Sequence, residues 1–195
     1  MVQAPASKIY RPGAKLIDRR GYGGDLLTLR RIMKPYMDQV AEATLESVSL
    51  SRLMGDHIEF VDGVESARTL RASPRVGARM PAYATAGGKI QLAQLDRQEL
   101  IDLFPEGLKP LTSHTATDLA TLLKELRRCR DRGYAFSREE STEGISAISV
   151  PLKDSHQRTV AALSVVAPSA RLPHTRLDPT LSLLTEVAAA VRSRL

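Results

Sequence analysis

The residues able to do chemistry are few and scattered along the chain. A single cysteine, Cys129, follows Leu119, Leu122, Leu123 and Leu126 at helical spacing, on one apolar stripe. A thiol becomes a nucleophile when it is accessible and close to cations or a base. Cys129 sits instead on the stripe that faces a core, and Arg128 and Arg130 point around the helix away from it. The four histidines, His57, His114, His156 and His174, show no metal-ligand spacing, so neither a metal site nor a cofactor is expected. Glu139, Glu140 and Glu143 cluster at the end of a strand. Paired carboxylates can act as acid and base, yet a solvated turn or a pocket rim fits the same pattern. Arg68, Arg71, Arg75 and Arg79 run through a weak strand and a loop, and read either as solvated charge or as an anion-binding set. The most suggestive segment is MPAYATAGGKIQLAQL. Its small residues Ala84, Ala86, Gly87 and Gly88 lead into a helix whose first N–H groups lack helical partners and carry the positive end of its dipole. Such a start holds anions, although tight packing at a helix entrance explains the same residues. The segment is neither a Walker loop nor GxGxxG.

The elements that must position these residues alternate between helical and strand patterns. Asp25 is a plausible cap for a helix reaching about Ser47, with a break expected at Pro35 and a connector over about 25–35. SVSLSRL, with Val48 and Leu50 on one face, and HIEFVDGV flank the turn Gly55-Asp56 and read as an antiparallel pair. TLRAS at 69–73 is a weaker strand. Thr85 can cap the helix that carries Ile90, and Asp96 with Glu99 makes a capping-box start for DRQELIDLF. A helix from near Thr117 ends at Gly133. Three strand candidates follow, YAFSRE, ISAISVPL and TVAALSVVA, and then a last helix from about Thr175. Hairpin-length links between strands give an α+β class, an antiparallel sheet flanked by helices in a GAF- or profilin-like layout.

Composition narrows the functional classes. The 195 residues suffice for one large domain, and one cysteine precludes an internal disulfide, which fits a reducing, cytoplasmic setting. No apolar run reaches the ~20 residues that a bilayer span needs, and no signal peptide is seen, so no membrane partner is expected. Up to Pro35 there are eight basic and two acidic residues, which accounts for the whole formal charge of +6. A basic arm on an electrically balanced body reads as a segment lying near polyanion or as a solvated surface helix. The balanced body argues against a broad nucleic-acid-binding face over 36–195.

Several ordered motifs resemble the effector-binding half of the IclR family of bacterial transcription regulators. GARMPAYATAGGKI at 77–90 is similar to the family's G-x-x-(L/M)-P-L-H-A-T-A-L-G-K-A. Arg132, Gly133, Tyr134, Ala135, Glu139, Glu140, Gly144 and Ile145 match R-G-Y-A-x-x-x-E-E-x-x-x-G-(V/I). The strand pair from Pro151 to Pro168 matches the family's last sheet motif. The resemblance implies residues 1–24 as a remnant of a winged helix-turn-helix domain, with Tyr10 to Leu16 its last piece, and residues 25–195 as an effector-binding and oligomerisation domain. It implies a non-enzymatic sensor of a small organic effector, a carboxylate or aromatic compound, that assembles as a homodimer or tetramer. DNA would be contacted only through the absent N-terminal domain of a full-length form. A domain used only for assembly, or a small hydrolytic enzyme with the loop as oxyanion site, are the rival expectations.

By the same resemblance the ligand meets the backbone N–H groups of Ala86 and Gly87. The opposite wall comes from Ser137, Ala147, Ser164 and Val166, with Thr69, Ala72, Met80 and Tyr83 as further lining. Ser164 is the side chain expected to donate a hydrogen bond. Tyr83 stands where relatives often carry His, Gly87 where they carry Leu, Ala147 for Cys and Ser137 for Asp. These departures imply an effector bulkier and less polar than a two- or three-carbon acid.

Overall fold

The computed structural model describes residues 26–195, together with the short strands β1 (Val2–Gln3) and β2 (Tyr10–Arg11), which pair antiparallel. The expected cap at Asp25 and the rest of the 1–24 segment lie outside the described residues. Helix α1 (Leu26–Thr44) leads into the hairpin β3 (Ser47–Met54) and β4 (His57–Val64). A loop then brings in β5 (Arg79–Pro81), a 3-10 turn at Ala82–Ala84 and α2 (Ala86–Leu92). After α3 (Arg97–Leu103) and α4 (Leu119–Arg132) come β6 (Ala135–Arg138), β7 (Ile145–Lys153), β8 (Thr159–Pro168) and α5 (Asp178–Val191). The six strands form one antiparallel sheet in the order β5-β4-β3-β8-β7-β6. The α+β expectation therefore describes the molecule.

Strand alternation gives this sheet two unlike faces. Val48 and Leu50 of β3, Leu163 and Val165 of β8, and Ile148 and Val150 of β7 point to one side and are at most 2% exposed. Helix α1 covers them with Leu29, Met33, Met37 and Val40, and α5 with Leu184, Val187 and Val191. The alternating partners Ser47, Ser49, Ser51, Ser164 and Ala147 point to the other side, where α2 and α4 pack.

Three expectations need correction. Helix α1 runs unbroken through Pro35, so residues 26–35 are the first half of one helix. Proline removes one internal bond there. The buried stripe Leu29-Met33-Met37-Val40 spans both sides of the proline and holds the two halves to the same sheet. Residues 69–73 form loop, because the edge of β4 is taken by β5 and the loop is held by side chains, with Ser47 Oγ–H donating to the Ala72 carbonyl at 2.5 Å. The last helix begins at Asp178 after a 3-10 turn at His174–Arg176, since Pro179 is tolerated only in a first turn. The expected caps at Thr85, the Asp96–Glu99 box and Gly133, left-handed at φ 77°, are all present.

Candidate functional site

Between the serine-bearing face of the sheet, the start of α2 and the loop 65–78 lies a cavity of about 350 Å³. Helix α2 is fixed against the sheet from both sides. Gln91 accepts from the Leu53 N–H at 2.8 Å and donates to the Gly87 carbonyl at 2.8 Å. Lys89, 2% exposed, donates to the Phe136 carbonyl at 2.8 Å and to Glu140 Oε1 at 2.7 Å. The 3-10 turn before α2 packs so closely that a Cβ on Gly88 would stand 2.1 Å from the Ala82 carbonyl oxygen, so only glycine fits. Thr85 Oγ1 accepts the Gly88 N–H at 3.0 Å. The first two N–H groups of α2, those of Ala86 and Gly87, are beyond the reach of any helical carbonyl.

Eight of the ten residues expected at a ligand site line this cavity: Ala72, Met80, Ala86, Gly87, Ser137, Ala147, Ser164 and Val166. Tyr83 does not. It is 6% exposed, its hydroxyl donates to the Lys109 carbonyl at 2.8 Å and accepts the Lys109 N–H at 3.1 Å, and its ring meets Phe104 edge-on. Thr69 is exposed on the loop and also stands apart from the lining. Ser164 Oγ–H donates to Ser149 Oγ at 2.9 Å, and Ser149 donates onward to the Leu163 carbonyl. The Ser164 hydroxyl hydrogen is thereby directed to Ser149, and its oxygen remains available to the cavity as an acceptor.

The structure adds residues that the motifs did not contain. Ser47, Ser49 and Ser51 of β3 line the floor, Ile58 and Phe60 of β4 an apolar wall, and Arg71, Arg75 and Thr142 the loop side. The signal for the serines was present in SVSLSRL: if Val48 and Leu50 face a core, the alternate serines face away from it. The cavity is more hydroxylated than the family motifs imply. Its lining includes two arginines and no carboxylate among the described residues; Arg71 is paired with Glu65 at 2.9 Å, so the positive field that favours an anion comes from Arg75.

Other candidate residues fall elsewhere. Glu140 is engaged with Lys89 and lines a separate open cleft on the α4 side, as do His114 and His174. Glu139 accepts the Gly144 N–H at 2.9 Å, which lowers its carboxyl pKa, and Glu143 is exposed. Cys129 is 0% exposed, and burial raises its thiol pKa, the reverse of nucleophile activation. Among the described residues no group of three or more His, Cys, Asp or Glu side chains gathers to hold a metal, and no helix is long and apolar enough to cross a membrane.

Known proteins share both sequence and fold with this chain. Residues 25–193 match the family described as bacterial transcriptional regulator IclR C-terminal. The HTH-type transcriptional regulator Rv1719 of Mycobacterium tuberculosis is 40% identical over 139 residues, 71% of this chain and 53% of that protein. The HTH-type transcriptional regulator KdgR of Escherichia coli is 33% identical over 161 residues, 82% of this chain and 61% of KdgR. The chain thus corresponds to about half to three fifths of these two relatives. A double mutant of the PobR inducer-binding domain from Acinetobacter, in complex with 3-hydroxy benzoic acid, superposes with a TM-score of 0.79 at 29% identity, covering 85% of this chain and 98% of that one.

Proposed function

The chain belongs to the IclR family of bacterial transcriptional regulators, whose C-terminal domain it matches, and from that premise we propose that its cavity binds a small organic acid as a signal. The observation that carries this reading is the lining: backbone amides of Ala86 and Gly87, a serine floor, apolar walls and two arginines, of which Arg71 is paired with Glu65 behind the lining and Arg75 has no carboxylate partner among the described residues. The acid group rests on the α2 amides and the carbon skeleton lies along Ile58, Phe60 and Met80. A volume of about 350 Å³ lies in the ~300–1,000 Å³ range usual for organic ligand pockets, which favours an effector bulkier than a two- or three-carbon acid. The serine floor argues against the less polar part of that expectation. The aromatic acid held by the PobR neighbour has the size this cavity suits.

No reaction is assigned to the domain. A cavity base is lacking among the described residues, since Glu140 faces Lys89 in another cleft. Effector binding instead shifts a conformational balance in a cytoplasmic dimer or tetramer. It is coupled to DNA through the winged helix-turn-helix domain of a full-length form, of which residues 1–24 are the end.

A thermal-shift screen tests the reading. Glyoxylate, pyruvate, benzoate and 3-hydroxybenzoate are compared at millimolar concentration, and the larger acids are expected to raise the melting temperature by mass action. Stabilisation by glyoxylate or pyruvate alone would overturn the size argument, and no stabilisation by any organic acid would overturn the sensor reading itself.

A further inference from the structure

Two buried side-chain oxygens find no hydrogen-bond partner among the described residues, Ser51 Oγ and Thr159 Oγ1, and of these only Ser51 lines the cavity. Buried hydroxyls are nearly always bonded, because one stripped of water without a partner is destabilising. The neighbouring serines show the usual solution. Ser47 donates to the Ala72 carbonyl and accepts the Ser66 N–H at 3.0 Å, and Ser164 donates to Ser149, which donates on to the Leu163 carbonyl. Ser51 has no such outlet. It is 1% exposed and pairs in register with Phe60 of β4 and Ala162 of β8, whose side chains carry no polar atom.

The second oxygen nearby fixes the kind of group that suits Ser51. Ser51 Oγ and Ser164 Oγ lie 2.6 Å and 3.3 Å from the place that a Cβ on Gly87 would take. The two oxygens therefore stand within about 6 Å of each other, a span that one ligand oxygen bridges with two bonds of up to ~3.0 Å each. Glycine adds no side chain of its own to cover them. The two serines differ in what they offer. The hydrogen of Ser164 is directed to Ser149, so its oxygen accepts, whereas the hydrogen of Ser51 is unclaimed and free to be donated. A carboxylate oxygen takes the Ser51 hydrogen but has none to give Ser164. An alcohol or phenol hydroxyl does both.

We infer that Ser51 is a specificity-determining residue of the cavity and that the effector carries, besides its acid group, a hydroxyl that accepts from Ser51 and donates to Ser164. This rests on the organic-acid reading above and narrows it to hydroxy acids. The ligand hydroxyl brings the partner that Ser51 lacks in the free protein. Because Ser51 Oγ is already stripped of water, the new bond forms with little further desolvation on the protein side.

The test pairs each hydroxy acid with its parent by calorimetric titration: 2-, 3- and 4-hydroxybenzoate with benzoate, and 6-hydroxyhexanoate with hexanoate. The proteins compared are the wild-type chain, Ser51→Ala and Thr159→Ala. In the wild type at least one hydroxy acid is expected to bind about fivefold or more tighter than its parent, the effect of one well-made neutral hydrogen bond. Ser51→Ala is expected to bring that hydroxy acid to within about twofold of the parent, with the parent itself within about twofold of its wild-type affinity. Thr159→Ala removes an unpaired buried hydroxyl outside the cavity and is expected to keep the preference. Matching circular dichroism melts of the three proteins without ligand check that the fold is intact. Equal binding of every hydroxy acid and its parent by the wild type, or a preference that survives Ser51→Ala, overturns this inference and leaves the organic-acid reading standing. A preference lost equally in Thr159→Ala overturns it too, since the effect would then not come from the cavity. Binding of none of the acids overturns both readings.

Discussion

A Cβ added to Gly87 would stand 2.6 Å from Ser51 Oγ and 3.3 Å from Ser164 Oγ, at the point where helix α2 comes closest to the floor of the cavity. The crowding falls on one oxygen, since Ser51 Oγ is buried and finds no hydrogen-bond partner among the described residues. Removing an unpaired hydroxyl is close to neutral, because no bond is lost. Gly87→Ala is therefore expected to cost roughly 1–3 kcal/mol, the usual range for overpacking. Ser51→Ala in the same chain should restore most of it. Urea denaturation of the two single variants and the double variant gives the coupling directly, and strictly additive effects would mean that the helix moves rather than the serine. Glycine at 87 was legible in the sequence as a departure from the family's leucine. Its partner was not, because which β3 residue faces α2 depends on how helix and sheet dock. The same limit explains Tyr83, which belonged to the right segment. Its 3-10 turn rotates the ring toward Phe104 and Lys109, and no motif records that rotation.

At the scale of elements, local chemistry announced the boundaries well wherever one residue decides them. Thr85, Asp96 with Glu99, and Gly133 all cap as their types dictate. What failed were judgments that packing overrides, as at Pro35 in α1 and at the loop 65–78, whose residues lack the partner strand they would need. That loop carries the arginine side of the cavity, and its geometry depends on charge. Arg71 and then Ser73 hydrogen-bond the Glu65 carboxylate and hold its pKa below the ordinary glutamate value. A carboxyl whose folded pKa is depressed stabilises the fold above the unfolded value, about 4.3 for glutamate, and loses that contribution as pH falls through the lower folded value. Wild type and Glu65→Gln are thus expected to differ at pH 7 and to converge in stability on acidification below that range. Because the pair is exposed, the difference should be small and shrink with added salt. Urea midpoints at pH 7, 5 and 3.5, with and without salt, check this, and a gap that ignores pH would show that Glu65 acts through its shape alone.

Over the whole molecule, the sheet separates holding the fold together from meeting a ligand, and adjacent residues on one strand serve the two roles. Leu163 is 0% exposed in the core beneath α1 and α5, whereas Ser164, one residue on, lines the cavity with its hydroxyl donating to Ser149. Leu163→Ala should cost about 2–5 kcal/mol, the transfer term plus the void it leaves. Among molecules that remain folded it should leave the affinity for an organic acid nearly unchanged, since no atom of the cavity is removed. Ser164→Leu should abolish binding instead, since the larger side chain takes the effector's seat beside Gly87 and the ligand-induced shift disappears. It also loses the buried bond to Ser149 and crowds Gly87, so the melting temperature without ligand is expected to fall as well. Denaturation curves give the stability of each variant, and calorimetry below the transition gives its affinity. If Leu163→Ala weakened binding as much as Ser164→Leu, the two faces would be mechanically coupled through the strand. That coupling would mean that a ligand on the serine face can reach α1, the helix that joins this domain to the N-terminal segment, by bending the sheet itself.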